Sequence, residues 1–154
     1  MQIRKAKTDD INELRELYYE TIITINVKDY NEEQIKVWAS TAERTESLLR
    51  RINEQYFFVA ENDDKKITGF ASLDKSGYLD LLYVHKDFQR MGVAKQLLQK
   101  IINTAIEWNI SKLETDSSIT AKPFFEKNNF KTIRQQTVTI NDVGLINYKM
   151  ERMI

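Results

Sequence analysis

The stretch from residue 78 to residue 108 limits the fold more than any other part of the sequence. Residues 78–84 (Tyr-Leu-Asp-Leu-Leu-Tyr-Val) are almost wholly apolar, which is typical of a central strand covered on both faces. After a short loop, Gly92 opens a segment whose apolar residues recur at helical spacing as far as Trp108. A buried strand that leads into an amphipathic helix requires a sheet with a helix packed on it. The stretch therefore predicts a mixed α/β fold.

Further helices and strands are predicted on both sides of this stretch. Apolar spacing predicts one helix from Thr8, its expected N-cap, to about Ile25, a second opened by a capping box at Asn31, and a third over residues 45–53. A short helix is expected at 121–128, with Thr120 as its N-cap. The remaining strands are predicted at residues 2–6, 56–60, 66–73, 112–116, 130–140 and 145–153. Because no linker or repeat interrupts them, residues 1–154 are expected to form one domain of α/β (α+β) type.

Charge and residue usage limit the classes of partner. Twenty-three basic residues balance 23 acidic ones, whereas nucleic-acid-binding chains usually carry a basic excess, so nucleic acid is not an expected partner. The absence of Cys excludes a disulfide framework and a cysteine nucleophile, and a single His argues against a metal site. The first residues do not predict a signal peptide, and no apolar run reaches the roughly 18 residues that a membrane span needs. The expected setting is cytoplasmic, away from a membrane.

The start of the helix at Gly92 is a candidate anion site. The first amides of a helix lack internal partners, and the helix dipole adds partial positive charge there. A pyrophosphate could accept those hydrogen bonds, and the small residues Gly92 and Ala94 would let the backbone come close to it. The alternative is that Gly92 only serves a turn. The stretch is neither a P-loop, which needs Gly-Lys-Ser/Thr, nor a Rossmann fingerprint, which needs three glycines.

Two motifs resemble the GNAT superfamily of N-acetyltransferases. Residues 89–94, Gln-Arg-Met-Gly-Val-Ala, match its Gln/Arg-x-x-Gly-x-Gly/Ala signature. Residues 121–130, Ala-Lys-Pro-Phe-Phe-Glu-Lys-Asn-Asn-Phe, resemble its second motif, and the order of elements agrees along essentially the whole chain. The resemblance implies a central mixed, mostly antiparallel sheet of about seven strands, splayed between the fourth and the fifth and flanked by about four or five helices.

A closer resemblance is to the YafP-like branch of bacterial acetyltransferases. It rests on residues 29–34 (Asp-Tyr-Asn-Glu-Glu-Gln), Trp38, residues 118–126 and the pattern Asn147-Tyr148-x-Met150. Two positions depart from the second motif of the family. Phe125 replaces a tyrosine that often protonates the leaving thiolate, and Asn129 replaces a glycine, although Asn tolerates the left-handed conformation better than most residues.

The resemblance implies that acetyl-coenzyme A is the cosubstrate and that no metal is required. It implies that backbone groups of Leu82, Tyr83 and Val84 hold the pantetheine arm. The other implied cofactor residues are Gln89, Arg90, Met91, Gly92, Val93, Ala94, Ser118, Phe125 and Lys127. Arg90 and Lys127 are equally well interpreted as solvated surface charges. Ser118, like Ser117 beside it, is equally well interpreted as a helix cap.

The resemblance further implies direct attack of an amine on the thioester. A lysine-like amine, with a pKa of about 10.4, is almost fully protonated at neutral pH, so some group must accept its proton. Asp80, a carboxylate inside an apolar strand, is the first candidate, and strand parity predicts that it shares a face with Leu82 and Val84. The alternative is that Asp80 pairs with a basic neighbour. The base glutamate of the family corresponds to Tyr78 in this sequence.

Other aromatic residues are candidates for the acceptor site. Tyr148, in the last strand, could act as an acid or a positioning hydroxyl, or could be a packed aromatic residue. Tyr30, Trp38 and Tyr78 are expected in the substrate pocket, with a core role as the alternative for the first two. His85, the only imidazole, is expected to be a solvated loop residue beside the cofactor rather than the base.

The leading interpretation is an acyl-CoA-dependent N-acyltransferase that acetylates a primary amine of a small molecule or a protein. A homodimer is compatible with this interpretation. One alternative is a non-catalytic module that binds acyl-CoA, because Phe125 and Tyr78 replace two familiar catalytic residues. A second alternative is a protein-interaction domain without a cofactor, in which the glycine at position 92 would be a coincidence.

Overall fold

Seven strands form two sheets in the computed structural model, which describes all 154 residues. Every pairing within the sheets is antiparallel, and the strand orders are β1-β2-β3-β4 and β5-β7-β6. The strands are β1 (Gln2–Lys5), β2 (Tyr56–Glu61), β3 (Ile67–Leu73), β4 (Leu79–Val84), β5 (Lys112–Ser118), β6 (Lys131–Ile140) and β7 (Val143–Met153).

Five α-helices accompany the sheets. They are α1 (Ile11–Thr24), α2 (Glu32–Ser40), α3 (Thr45–Glu54), α4 (Val93–Glu107) and α5 (Lys122–Lys127). Three helices precede β2, while α4 connects β4 to β5 and α5 connects β5 to β6, as the sequence predicts. None of the five combines the length and the apolar character that a membrane-spanning segment requires.

The two sheets touch at one place and then separate. A single parallel bridge joins Tyr78 to Glu114, and the Thr115 hydroxyl donates to the Leu79 carbonyl at 2.9 Å. Beyond this bridge no ladder links β4 to β5. The predicted splay between the fourth and fifth strands is therefore confirmed, and it leaves one edge of β4 unpaired toward its C-terminal end.

The first sheet is covered on both faces, which accounts for its apolar strands. On one face, Leu97 and Ile101 of α4 pack with Phe58 of β2 in the main core. On the other face, α1 supplies Leu14 and Leu17. A strand such as β4 can therefore be largely apolar although it lies at the edge of its sheet.

Gly69 in β3 determines how closely α4 approaches the sheet. A Cβ atom at this position would lie 2.8 Å from Cγ1 of Val93 and 2.9 Å from the carbonyl oxygen of Tyr83. Both distances are too short for a real Cβ, so the first turn of α4 packs directly on the β3 backbone. This contact places the N-terminus of α4 beside the end of β4.

The predicted N-cap at Thr8 is wrong. A 3-10 turn over Thr8–Asp10 precedes α1, and the Asp10 carboxylate accepts the Lys7 amide at 2.7 Å. Arg4 donates twice to the same carboxylate, at 2.9 and 3.0 Å. The helix start is therefore organised by Asp10 rather than by Thr8, and Asp10 is held in place by Arg4 of β1.

The predicted N-cap at Thr120 is also wrong. Its hydroxyl donates to Asp29 at 2.7 Å, and the Ser118 hydroxyl instead accepts the Ala121 amide at 3.0 Å. By contrast, the capping box at Asn31 is confirmed. The difference is that Asn31 and its partner are three residues apart, whereas Thr120 is drawn to a residue 91 positions away.

Candidate active site

The loop between β4 and α4 presents a row of free backbone amides. No amide from Gln89 through Lys95 donates a hydrogen bond to any protein atom, and the first intrahelical bond runs from the Gln96 amide to the Gly92 carbonyl at 3.1 Å. Gly92 is the N-cap of α4 and has a left-handed φ of 83°. A Cβ at Gly92 would meet no atom within 4 Å, so the space in front of the row is open to a ligand.

Side chains in this loop either hold its shape or face solvent. The Gln89 amide nitrogen donates to the Val84 carbonyl at 2.7 Å, which ties the loop to the end of β4. Val93 is buried and Ala94 is half-buried, while Arg90 is exposed and 64% of Met91 is accessible. A set of free amides that surrounds open space at a helix start has the chemistry to hold a phosphate or pyrophosphate.

The unpaired edge of β4 lies next to these amides. The His85 amide donates to the Thr68 carbonyl at 2.8 Å, so strand alternation turns the backbone groups of Tyr83 toward β3 and those of Leu82 and Val84 toward the open side. The Val84 carbonyl is occupied by Gln89 and by the Thr21 hydroxyl, at 2.7 and 3.0 Å. The Leu82 backbone and the Val84 amide therefore remain available to an extended ligand.

Asp80 does not lie on the predicted face of β4. Leu79 pairs with Leu73 and Leu81 pairs with Ser72, so Asp80 is the extra residue of a β-bulge. The bulge reverses the expected parity: Leu82 and Val84 pack on the α4 side, whereas Asp80 reaches toward α3. The predicted common face for these three residues is wrong because an inserted residue shifts every later side chain to the opposite face.

The Asp80 carboxylate has two polar partners at the end of α3. Its Oδ2 atom accepts Nε of Arg51 at 2.7 Å and Nε2 of Gln55 at 2.9 Å. Arg51 also donates to the Ser47 hydroxyl at 2.7 Å. The pairing with a basic neighbour, which the sequence left open as an alternative, is therefore present. The other oxygen of the carboxylate, Oδ1, has no hydrogen-bond partner in the protein.

A cavity of about 240 Å³ lies on the same side of the sheet as Asp80. Tyr18, Trp38 and Leu81 form part of its wall, and Ile140 reaches it from the end of β6. Because the Thr41 hydroxyl donates to the Trp38 carbonyl at 2.6 Å, the Tyr18 hydroxyl must be the donor in its own 2.6 Å bond to Thr41. These bonds fix α1 against α2 and give the cavity a rigid aromatic wall.

The sequence predicts Tyr30 in the substrate pocket, with a core role as the alternative, and the structure places it in the core. Only 8% of its surface is accessible, and it does not line the cavity. Its hydroxyl donates to the Ile146 carbonyl at 2.7 Å and accepts the Ile119 amide at 3.0 Å. Burial raises the pKa of Tyr30. Its ring also packs edge-on against Trp38, at 5.3 Å between centroids, so it supports the cavity wall from behind.

Tyr78 lies at the junction of the two sheets rather than in the cavity. Its hydroxyl donates to the Asp116 carboxylate at 2.7 Å, and Gln136 donates to the other oxygen of that carboxylate at 2.7 Å. Burial, with the hydrogen bond to Asp116, raises the pKa of Tyr78 well above its usual value. A phenol that retains its proton so firmly cannot accept one from an amine at neutral pH.

The remaining predicted residues lie on the second sheet and α5. Tyr148 is half-buried, with Nζ of Lys122 over its ring at 4.9 Å. Phe125 is 3% accessible and packs edge-on against Phe130, so its ring is mainly a core group. Lys127 is exposed and forms no ion pair, while Ser118 caps the turn before α5.

His85 is not the solvated residue that the sequence predicts. It is 8% accessible, and its Nδ1 atom accepts the Asp87 amide at 3.0 Å. The ring packs edge-on against Phe88 and faces a second cavity lined by Glu13 and Glu16 of α1, away from the free amides. No three His, Cys, Asp or Glu side chains come together in a way that could hold a metal ion.

The sequence reasoning missed the cationic side of the first cavity. Arg15 lines it from α1, Arg44 from the start of α3 and Arg51 from the last turn of α3. Gln55 supports Asp80 behind the cavity. No motif marks these residues, because each lies among several other charged residues in the sequence. Only the packing of α1 beside α3 brings the three guanidinium groups together.

Comparisons with known proteins agree with this geometry. Residues 26–152 match the family described as Acetyltransferase (GNAT) domain. The uncharacterized N-acetyltransferase YafP of Escherichia coli K12 is 31% identical over 150 residues, which cover 97% of this chain and 94% of that protein.

Solved structures show the same fold. A GCN5-related N-acetyltransferase from Rhodopseudomonas palustris superposes with a TM-score of 0.95 at 28% identity and covers 99% of this chain and 95% of its own. The PaiA N-acetyltransferase from Thermoplasma acidophilum, in complex with coenzyme A, has a TM-score of 0.82 at 22% identity. The superposition covers 99% of this chain and 98% of the PaiA chain. Sequence and structure together assign this chain to the GNAT family, and it is an N-acetyltransferase.

Proposed function

We propose that the protein transfers the acetyl group of acetyl-coenzyme A to a primary amine that binds in the cavity beside Trp38. The observation that carries the proposal is the row of free amides from Gln89 through Lys95, which continues directly from the unpaired edge of β4. A nucleotide without an amide-containing arm would need the free amides but not the unpaired strand edge. A pyrophosphate attached to an amide-containing arm uses both together. The relative PaiA was solved with coenzyme A, which supports the assignment.

The cofactor would be held mainly by the backbone. Amides of residues 89–94 would bind the pyrophosphate, while the Leu82 backbone and the Val84 amide would pair with the pantetheine arm as an added strand would. Tyr83 would not contact the cofactor itself and would only set the spacing between Leu82 and Val84. Its side chain points the other way, edge-on to Tyr18 at 4.8 Å between ring centroids.

Side chains around this backbone frame would have smaller roles. Arg90 and Lys127 are exposed cations that could approach the phosphates of the cofactor. Ser118 and Phe125 lie on the opposite side of the splay, where they would border the arm. When bound, the cofactor supplies an acetyl group activated as a thioester.

Asp80 would accept the proton of the amine, directly or through a water molecule. Its Oδ1 atom is free, while Arg51 and Gln55 fix the orientation of the carboxylate through Oδ2. The bulge directs this carboxylate toward α3. Asp80 does not line the cavity itself, but its partner Arg51 does, so the carboxylate lies directly behind the cavity wall. Tyr78 holds its proton too firmly to compete for this role.

Tyr148 would position the reacting groups at the splay or donate a proton to the departing thiolate. It faces the α5 side of the second sheet, and no protein atom bonds its hydroxyl. A thiol of pKa about 8.5 departs with little assistance, so the demand on this residue is modest. This reasoning also explains how Phe125 can occupy the position where the family usually has a tyrosine.

Two measurements test the proposal. The first is the shift of the thermal unfolding midpoint on addition of coenzyme A. The second is thiol release from acetyl-CoA with a panel of primary amines, with a reaction that contains no amine as the blank. Stabilisation by coenzyme A together with amine-dependent thiol release supports the proposal.

The same pair of measurements distinguishes the alternative functions. Stabilisation by coenzyme A without amine-dependent release for any amine would indicate the non-catalytic binding module, which the absence of a hydroxyl at Phe125 favours. An unchanged unfolding midpoint would contradict both functions, because each requires the cofactor to bind.

A further inference from the structure

The cavity beside Trp38 has two chemically different sides. Tyr18, Trp38 and Leu81 present aromatic and aliphatic surface, whereas Arg15, Arg44 and Arg51 present guanidinium groups. No Asp or Glu lines the cavity. A formal net charge of zero for the whole chain makes this local excess of positive charge a property of the site rather than of the protein.

Only one of the three arginines is neutralised. Arg51 is paired with Asp80 at 2.7 Å. Arg15 uses Nε to bind the Ala42 carbonyl at 2.8 Å, a neutral partner that leaves its charge uncompensated. Arg44 forms no ion pair and no side-chain hydrogen bond, although its backbone begins α3. Two guanidinium groups at the cavity therefore have donors free for a ligand.

The bond from Arg15 to Ala42 also orients the guanidinium group. It joins α1 to a residue 27 positions later in the chain, so the terminal nitrogens of Arg15 are held at the cavity rather than free to turn into solvent. A guanidinium whose position is fixed in advance loses less freedom when it binds a planar carboxylate through two parallel hydrogen bonds. The arrangement fits an anionic group on the acceptor.

We infer that the acceptor is a small primary amine that carries a carboxylate, which Arg15 and Arg44 bind while its apolar portion packs on Tyr18 and Trp38. The inference rests on the proposed function, because it takes this cavity as the acceptor site. The volume of about 240 Å³ suits a molecule of amino-acid size. In this arrangement Asp80 and the anion occupy different places, separated by Arg51, so the two negative charges do not meet.

The first test measures binding without turnover. The probe is 3-phenylpropionate, which has the carboxylate and the aromatic ring but no amine, and its Kd is measured by titration calorimetry. Replacing Arg15→Met or Arg44→Met keeps the apolar stem and removes the charge, so each Kd should rise at least about tenfold. Arg50→Met is the matched control, since Arg50 is exposed on α3, does not line the cavity and should leave the Kd unchanged.

The second test compares two amines in the acetylation reaction. Phenylalanine and phenethylamine differ only by the carboxylate, and the wild-type protein should prefer phenylalanine in kcat/KM by at least about tenfold. The ratio of the two values should fall toward one in Arg44→Met and stay unchanged in Arg50→Met. The Arg44 side chain is exposed, so its replacement should not disturb folding. Because the ratio is compared between variants, the different pKa values of the two amines cancel.

The outcomes separate this inference from the proposed function. Equal Kd values for 3-phenylpropionate in the wild type and in both cavity variants would overturn the inference, as would a preference for phenethylamine that the variants do not alter. If 3-phenylpropionate binds through Arg15 and Arg44 but no amine is acetylated, the anion site stands and the proposed function fails. A phosphate-bearing amine that is acetylated while phenylalanine is not would also overturn the carboxylate assignment.

Discussion

The two halves of the site are built from different parts of the polypeptide. The main part of the candidate cofactor site is one continuous stretch, residues 82–95, and its donors are backbone amides. The candidate acceptor cavity takes side chains from residue 15 to residue 140, on helices α1, α2 and α3 and on strands β3, β4 and β6. A site made of backbone amides depends only on the local conformation of the chain, because every residue type supplies the same groups. A site made of side chains depends on which residues the fold brings together.

This contrast explains why one half carries a recognisable motif and the other does not. A row of free amides requires a residue that accepts a φ of 83°, and glycine satisfies that requirement at almost no cost. The cavity could be built from many combinations of residues on its helices. Similar cofactor loops can therefore serve proteins with different acceptors, and single substitutions should act differently in the two halves.

The largest expected effect is on the cofactor half. Gly92→Val should weaken coenzyme A binding by about 1,000-fold, because the side chain would occupy the open space in front of the amides and remove more than one charge-assisted hydrogen bond. The measurement is the Kd for coenzyme A by titration calorimetry. Because no protein atom lies within 4 Å of a Cβ at this position, the fold should persist with a strain cost of about 1–3 kcal/mol from the left-handed φ.

Gly92→Asn is the matched control for that strain. Asn tolerates a left-handed φ better than Val but also fills the space with a side chain. If blocked space weakens binding, the Asn variant loses affinity while its stability stays near that of the wild type. Normal affinity in a folded Gly92→Val variant would remove the argument for a phosphate site and with it the comparison between the two halves.

The next effect concerns the acceptor half. Asp80→Asn should lower kcat by about 100-fold, because an amide cannot accept the proton of the amine, while the Kd for coenzyme A stays unchanged. The measurement is kcat as a function of pH together with cofactor affinity. Loss of turnover without loss of binding would show that the two halves fail separately.

Asp116→Asn is the control for a different base. Asp116 binds Tyr78 and Gln136, neither of which lines the cavity, whereas the partner of Asp80 does. Replacing Asp116 should therefore change kcat by less than about threefold. An Asp80→Asn protein with an unaltered pH–rate profile would argue against Asp80. Equal losses of kcat in the two variants would contradict the specific role of Asp80 and indicate that the proton acceptor lies at the sheet junction.

The smallest expected effect is on the support of the acceptor half. Tyr30→Phe should lower the free energy of unfolding by about 1–3 kcal/mol, because the Ile119 amide and the Ile146 carbonyl would lose their shared partner. Urea unfolding measures the change, and coenzyme A affinity should not alter. Tyr19→Phe is the control, since Tyr19 is exposed and should change stability by less than about 0.5 kcal/mol. An equal loss of unfolding free energy in both variants would show that the buried hydrogen bonds of Tyr30 add nothing to stability.

Particular residues show how far prediction from the sequence reached. The order of the helices and strands is predicted correctly, since it depends on hydrophobic spacing and turn residues within short segments. The splay of the sheet is predicted only by the resemblance to the GNAT family. Asp80 was assigned to the wrong face, because a bulge is set by how β4 pairs with β3 and not by β4 alone. Thr120 was assigned as a cap, but Asp29, far away in the chain, captures its hydroxyl.

The sequence by itself determined the strand, the glycine and the helix that create the row of free amides, because each of these depends on a few neighbouring residues. Only the tertiary structure decided what surrounds the acceptor. The bulge turned Asp80 toward Arg51, and the packing of α1 against α3 brought Arg15 and Arg44 to one cavity. Local conformation is governed by short-range preferences of the chain, whereas the meeting of distant side chains is governed by how whole elements pack.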